Sequence, residues 1–412
     1  MKRMQPIRNA LVTLVLLAGA GNALAQNCVN STKSNFSLSL DVAGTCGREK
    51  FDTAQDLIDG LETNALGKIR SNYTGSEIAA LNINFNSLPI ALEFPNAGQT
   101  GSGAQLNFFI PRLGVHQVFL GHDRDDSVDQ LEHYLKHSGI IDDILEYQIA
   151  HTANNPITGP GGLLPGTVET DFGNGVDTLP DSADGPAGNQ FGMGLGFGST
   201  RIDGRDSKSV VLPLSYTIRN DIDPRRQLVF SLPLTIIETD GAKSYTGSFG
   251  VAYRLPLNRV WTITPALRYG FSGSEDLATA AALSGVSVSS NYVMRFDGFD
   301  LAIGNMVGFY QTSKLKVGDY SVDPGVRSTV LRNGVLLSQP ISIGGRSMSI
   351  EYSIIDTRYQ GSNIYVDNTQ EIGVTLGNNR SLASARSNLR AGLRYLQGRD
   401  VKSLYLNVGY WF

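Results

Sequence analysis

The carboxy-terminal residues Val401 to Phe412 alternate so regularly that few environments suit them. Leu404, Leu406, Val408, Tyr410 and Phe412 share one face of an extended chain, and Ser403, Tyr405, Asn407, Gly409 and Trp411 share the other. A strand with one apolar and one mixed face, crowded with aromatics at its end, fits a wall between lipid and a polar lumen. In hydrocarbon, a strand satisfies its backbone hydrogen bonds only within a closed barrel.

The amino end agrees. Lys2, Arg3 and Arg8 precede an apolar run from Ala10 to Ala18, and Ala23-Leu24-Ala25 supplies the small residues of a signal-peptidase site, so residues 1–25 read as a signal peptide. No stretch approaches the ~20 apolar residues of a bilayer-spanning helix. The chain has two cysteines, Cys28 and Cys46. Asn27 stands where lipidation of Cys28 would want a small residue, so the expectation in an oxidising periplasm is a Cys28–Cys46 disulfide contributing ~3 kcal/mol. The expected location is the outer membrane of a Gram-negative bacterium, with outer-membrane lipid as the solvent of the barrel.

Charge divides the chain. Residues 26–188 carry 21 acidic and 8 basic side chains, whereas residues 189–412 carry 17 acidic and 23 basic ones. Opposite fields on one chain suggest two physical units, the first able to dock on or inside the second.

Residues 189–412 read as twelve strands, an even number as a bacterial single-chain barrel requires: 189–198, 208–219, 226–238, 243–255, 259–271, 277–295, 299–312, 323–341, 346–359, 369–379, 384–398 and 401–412. Connections around Asp203, Ser274, Lys316 and Asn363 read as longer or more polar than those near Asn220, Pro256, Pro340 and Asn379. On the predicted inner face lie Arg219, Arg254 and Arg268, and Arg386, Arg390 and Arg394 share one face of the eleventh strand. Unpaired arginine facing lipid costs ~2 to 4 kcal/mol. These side chains therefore either form a basic wall for anions or an acidic segment, or pair with inward carboxylates such as Glu351.

Residues 26–155 read as a small acidic α+β domain. Helical periodicity runs through Phe51–Lys68 and Ser127–Thr152, with Ser127 or Asp126 as N-cap, and 78–93 and 105–120 read as extended. Residues 156–188, rich in Gly, Pro and Asp, read as a linker, flexible or threaded through the lumen rather than packed. All five histidines, His116, His122, His133, His137 and His151, lie before residue 156. His133 and His137 are four apart on an expected helix, and with His122 they are the candidate metal ligands; a solvated helix face explains them equally. The zinc-protease helix pattern is absent, since Glu132 precedes His133. No nucleophile elbow or phosphate loop occurs. The chain is read as no enzyme, with no cofactor and no nucleic-acid partner, since an acidic exported domain repels phosphate.

A barrel of about 220 residues and twelve strands that ends Gly409-Tyr410-Trp411-Phe412, behind a linker able to occupy the pore, resembles the translocator domain of autotransporters of the solitary, short-passenger kind. The resemblance implies engagement of the barrel-assembly machinery through the strand ending in Phe412, and no catalytic residues. It departs upstream: autotransporters usually run a helix into the barrel, and here a Gly/Pro-rich linker is read. Three functions follow: display of, or plugging by, the N-terminal domain; a gated pore for small anionic solutes; and an envelope enzyme using His122, His133 and His137.

Overall fold

A computed structural model of the chain describes residue 28 and residues 34–96, 104–176, 189–202, 204–317, 320–378 and 388–411. The signal peptide, Arg386 and Phe412 lie outside these residues. The chain divides into two compact units, residues 1–137 and 138–412. Gly139, at φ 81°, breaks the long helical pattern expected over Ser127–Thr152 into two helices, Arg124–His137 and Ile140–His151.

The first unit is built on an antiparallel six-stranded sheet. Its strands are β1 (Phe36–Val42), β2 (Thr45–Phe51), β3 (Ala79–Phe85), β4 (Leu88–Phe94), β5 (Gln105–Ile110) and β6 (Val115–Leu120), in the order β2-β1-β3-β4-β5-β6. The β1–β2 hairpin was not legible in the periodicity. The helical stretch near residues 51–68 forms two short helices, α1 (Ala54–Asp59) and α2 (Thr63–Ile69). The third helix, α3 (Arg124–His137), starts before the N-cap expected at Ser127 or Asp126. Asp123 Oδ1 accepts from the Asp126 N–H at 2.9 Å, while the Ser127 hydroxyl bonds to backbone instead. Arg124 ties α3 to the sheet, donating to Tyr73 Oη at 3.1 Å and the Asn96 carbonyl at 3.0 Å with its guanidinium 4.6 Å from the Phe94 ring centre.

Cys28 and Cys46 are disulfide-bonded across 18 residues of sequence. Cys28 is fully buried, and its carbonyl accepts from Ser39 Oγ at 2.9 Å and Asn82 Nδ2 at 3.2 Å, so the bridge holds a segment across β1 and β3. Replacing both cysteines by serine is expected to destabilise this unit by about 3 kcal/mol. Protease resistance with and without reductant measures it, and equal resistance would contradict it.

Glu77 supplies a pH signature. Burial acts to raise its carboxyl, but the Thr74 N–H at 2.8 Å, the Thr74 hydroxyl at 2.7 Å and the Ser76 N–H at 3.3 Å favour the anion and hold it at about 2. A folded-state value below the unfolded one means a contribution present above roughly pH 5 and lost as the pH falls toward 2. NMR titration should place the Glu77 midpoint near 2, and nearer the ordinary carboxylate range in Thr74→Val. An ordinary midpoint in the unaltered protein would refute the assignment.

The second unit opens with α4 (Ile140–His151) and α5 (Leu163–Val176) and continues as strands. These are β7 (Gln190–Ile202), β8 (Arg205–Arg219), β9 (Gln227–Thr239), β10 (Ala242–Pro256), β11 (Trp261–Ser274), β12 (Thr279–Phe296), β13 (Phe299–Ser313), the small hairpin β14 (Leu315–Val317) and β15 (Tyr320–Val322), β16 (Arg327–Ile343), β17 (Arg346–Gly361), β18 (Asn368–Asn378), β19 (Asn388–Gly398) and β20 (Val401–Trp411). Twelve of them, all except β14 and β15, close a barrel in which β20 pairs antiparallel with β7.

The dyad decides which side of the wall each residue meets. Leu404, Leu406, Val408 and Tyr410 are 41–48% exposed on the outside, while Ser403 and Tyr405 are buried inside. Met193, Phe197, Leu234, Phe249, Leu267, Phe271, Val286 and Val307 extend the same outward apolar surface around the barrel. So wide an apolar belt on a closed sheet is the signature of a membrane-spanning barrel. Hairpins such as β9–β10 turn on Asp240-Gly241, with φ of 51° and 86°, a conformation that Asp-Gly accepts readily.

One rim carries the start of β7 and the end of β20; we call it the terminal rim. The opposite loop rim carries the connections 314–326 and 362–367. Connection length is a poorer guide than expected, because the link at 275–278 on the loop rim is also tight.

Candidate functional site: the occupied lumen

The stretch read from sequence as an unpacked linker contains a packed helix. Pro165 in the first turn and Gly166, Gly173 and Gly175 make α5 a poor helix by its own propensity. Its stability comes from tertiary packing. Leu164, Val168, Phe172 and Val176, spaced by four, are at most 3% exposed. They share one apolar cluster with the barrel's Leu283, Val293, Met306, Tyr310, Val330 and Tyr359. The wall that meets this face is apolar on β12, β13, β16 and β17, while inward Ser231, Ser248, Thr264, Ser287 and Arg268 keep the rest of the inner face polar.

The wall is notched for this helix. A Cβ at Gly304 would lie 2.7 Å from Val176 and 3.1 Å from Phe172, one at Gly270 2.9 Å from Leu163, and one at Gly334 3.1 Å from Phe172. Arg332 lies with its guanidinium 5.1 Å from the Phe172 ring centre.

Charge secures what packing seats. Asp171, fully buried, accepts from Arg268 Nε at 2.7 Å, from Tyr310 Oη at 2.9 Å and from Ser287 Oγ at 3.3 Å. Glu169, also on α5, is ion-paired with Arg394. Arg394 bonds in turn to Glu371 at 3.1 Å, and Glu371 receives Arg332 through two bonds of 2.7 and 3.1 Å. Arg254 donates from Nε to the Asn174 carbonyl at 2.5 Å, and Asn174 Nδ2 donates to Ser231 at 3.2 Å.

The inward arginines thus divide between the two roles read from sequence. Arg254, Arg268 and Arg394 bind the helix. Arg390 pairs with Glu351 of the wall, donating at 2.9 Å, and Arg219 donates to Gln190 at 3.0 Å near the terminal rim. Asp171, Glu169, Arg332 and Glu371 were not singled out from sequence, although Arg332 stands on the inward dyad between Val330 and Gly334, and Glu169 and Asp171 are the only acids of 156–176.

The helix has a direction. At the loop rim, Asp142 of α4 accepts from the Asp323 N–H at 2.8 Å and the Ile149 carbonyl from the Tyr365 N–H at 2.9 Å. Ala153 packs with Ile202, Val366 and Val401, and the Pro156 carbonyl accepts from Ser272 Oγ at 3.2 Å. From there α5 descends past Asp171 to Val176, beside Asn291 and Gly304 near the terminal rim. Its 14 residues span about 21 Å, close to the height of a barrel's apolar band.

A small cavity lies beside the helix. Between Glu169 and the wall residues Arg332, Glu371 and Tyr405 lies a cavity of about 30 Å³, room for a water molecule or two. A larger hollow of about 390 Å³, lined by Phe249, Leu267, Tyr269, Val286 and Phe309, faces outward from the belt and does not open the lumen.

The candidate histidines do not converge. The rings of His133 and His137 stack with centres 4.1 Å apart, and His137 Nδ1 lies 2.8 Å from the His133 carbonyl. His122 Nδ1 is 3.8 Å from Asp123. Among the described residues no three His, Cys, Asp or Glu side chains gather as metal ligands.

No family model matches the chain, and no curated protein matches it. Solved structures do. The β domain of the Bordetella autotransporter BrkA matches at 14% identity over 55% of this chain and 99% of its own, with a TM-score of 0.44. The translocator domain of the autotransporter NalP from Neisseria meningitidis matches at 11% identity over 60% of this chain and 94% of its own, with a TM-score of 0.46. The KdgM porin matches at 10% identity over 53% and 98%, with a TM-score of 0.32.

Proposed function

We propose that the chain is an outer-membrane barrel of a Gram-negative envelope that keeps its own helix α5 as a resident plug and carries its N-terminal unit on the cell surface. The direction of α5 supports this reading. Both ends of an even-stranded bacterial barrel lie at the periplasmic rim. The chain comes to the opposite rim through α4, descends the lumen as α5 and reaches the first strand from the periplasmic side. Residues preceding α4 then issue from the loop rim, which is the outer one.

The notched wall and the buried apolar and charged contacts that seat α5 in it support a permanent occupant over a conduit for hydrated solutes. The gated anion pore is the second reading, favoured by Arg254 and Arg268, which would face an empty lumen without their partners on α5. We read the chain as carrying out no catalysis, in keeping with the separation of His122 from the stacked His133 and His137. In this reading the strand ending in Phe412 is the segment taken up by the barrel-assembly machinery.

Exposed Asn64 tests the display. In Asn64→Cys, a membrane-impermeant maleimide should label intact cells as fully as lysed ones. Labelling that requires permeabilisation would refute the display reading.

A further inference from the structure

At the loop rim the outward side of the wall changes character within one or two dyads. Leu404, Phe197 and Val210 belong to the apolar belt, and beyond them toward the rim the outward positions are Lys402 in β20, Arg201 in β7, Lys208 in β8 and Lys243 in β10, all exposed. The register sets them side by side. Lys402 lies opposite Arg201, which lies opposite Asp206; one dyad nearer the belt, Lys208 lies opposite Glu238, which lies opposite Lys243. Four cations and two carboxylates thus occupy five neighbouring strands.

Their internal pairing is incomplete. Arg201 Nε bonds Asp206 at 3.2 Å, while among the described residues the ammonium groups of Lys208, Lys243 and Lys402 have no carboxylate within ion-pair distance. Lys402 directly opposite Arg201 is a pairing that sheets disfavour, because like charges facing each other across two strands repel. An anion between them turns that repulsion into attraction. The row also stands at the level where the belt gives way to lipid headgroups, whose negative surface attracts lysine and arginine.

We propose that Lys402, Arg201, Lys208 and Lys243 seat the phosphate groups of an anionic lipid in the leaflet at the loop rim. A lipid suits the site because Leu404, Phe197 and Val210, next to the cations, offer its acyl chains an apolar wall. The proposal rests on the membrane-spanning reading of the barrel and is independent of what fills the lumen.

The test uses the full chain folded into phosphatidylcholine vesicles doped with diphosphoryl lipid A or with its dephosphorylated form. After extraction in mild detergent and washing, the glycolipid retained per protein is measured by mass spectrometry. The unaltered protein should retain the phosphorylated form selectively. Retention should fall about fivefold for each lysine replaced in K208Q/K243Q/K402Q. The control K50Q/K68Q/R112Q, which removes the same charge from the N-terminal unit, should behave as the unaltered protein. Equal retention by the two triple variants, or indifference to the lipid's phosphates, would overturn the proposal alone. Failure of the unaltered chain to insert into undoped vesicles, read as loss of the heat-modifiable folded band, would overturn the membrane-spanning reading and the proposal with it.

Discussion

A chain lacking residues 26–176 should form a barrel that conducts anions in a planar bilayer, where the full-length protein shows no resolvable conductance. With α5 in place, the lumen is crossed by a packed helix, and the cavity beside Glu169 holds about 30 Å³. Without it, a twelve-stranded wall encloses more space than an eight-stranded barrel that its own side chains fill. The charge left behind is positive. Glu351 and Glu371 are engaged by Arg390, Arg332 and Arg394, while Arg268 loses Asp171 and Arg254 loses the Asn174 carbonyl. Reversal potentials in a salt gradient should therefore report anion selectivity. Continued silence of the truncated barrel, or cation selectivity, would contradict this.

Asp171→Ala should be the most damaging single substitution in the second unit. The side chains of Asp171 and Arg268 are at most 1% exposed, and Tyr310 donates to the same carboxylate. Removing the carboxylate strands a buried guanidinium, which costs roughly 3 to 5 kcal/mol. The energy can be shed by expelling α5, so flickering conductance and new protease cleavage between residues 152 and 176 should accompany the loss of stability. Asp171→Asn keeps a hydrogen-bond acceptor and should be milder. The double change Asp171→Leu with Arg268→Met removes both charges and should recover much of the loss, since replacing a whole buried pair by apolar groups is often neutral. A melting temperature for Asp171→Ala equal to that of the unaltered protein would show that the pair does not hold the helix.

These effects follow from features of unequal legibility. The wall was readable because a strand's period is two and lipid tests every second residue: Leu404, Leu406 and Val408 face out, as their alternation required. The inward placement of Arg254, Arg268, Arg390 and Arg394 came from the same count. What they bind did not, because long-range partners leave no mark in local periodicity. Helix α5 was missed because Pro165 and three glycines lower its propensity, and a wall shaped by Gly270, Gly304 and Gly334 supplies the support its own sequence lacks. The spacing of Leu164, Val168 and Phe172 was the available clue. Breaking the helical pattern at Gly139 likewise needed only a left-handed residue, which the apolar repeat on both sides concealed.

The direction of α5 carries the proposed function, and cysteine cross-linking tests it most directly. A Cβ at Gly304 would stand 2.7 Å from the γ-carbons of Val176, whereas Ser272, inward-facing near the opposite rim, bonds to the Pro156 carbonyl at the other end of the lumen segment. In a Cys28→Ser, Cys46→Ser background, mild oxidation should join the pair Val176→Cys with Gly304→Cys and leave the pair Val176→Cys with Ser272→Cys unjoined. The reverse pattern would mean that the helix runs the other way, and cross-linking of neither pair would mean that it does not occupy the barrel.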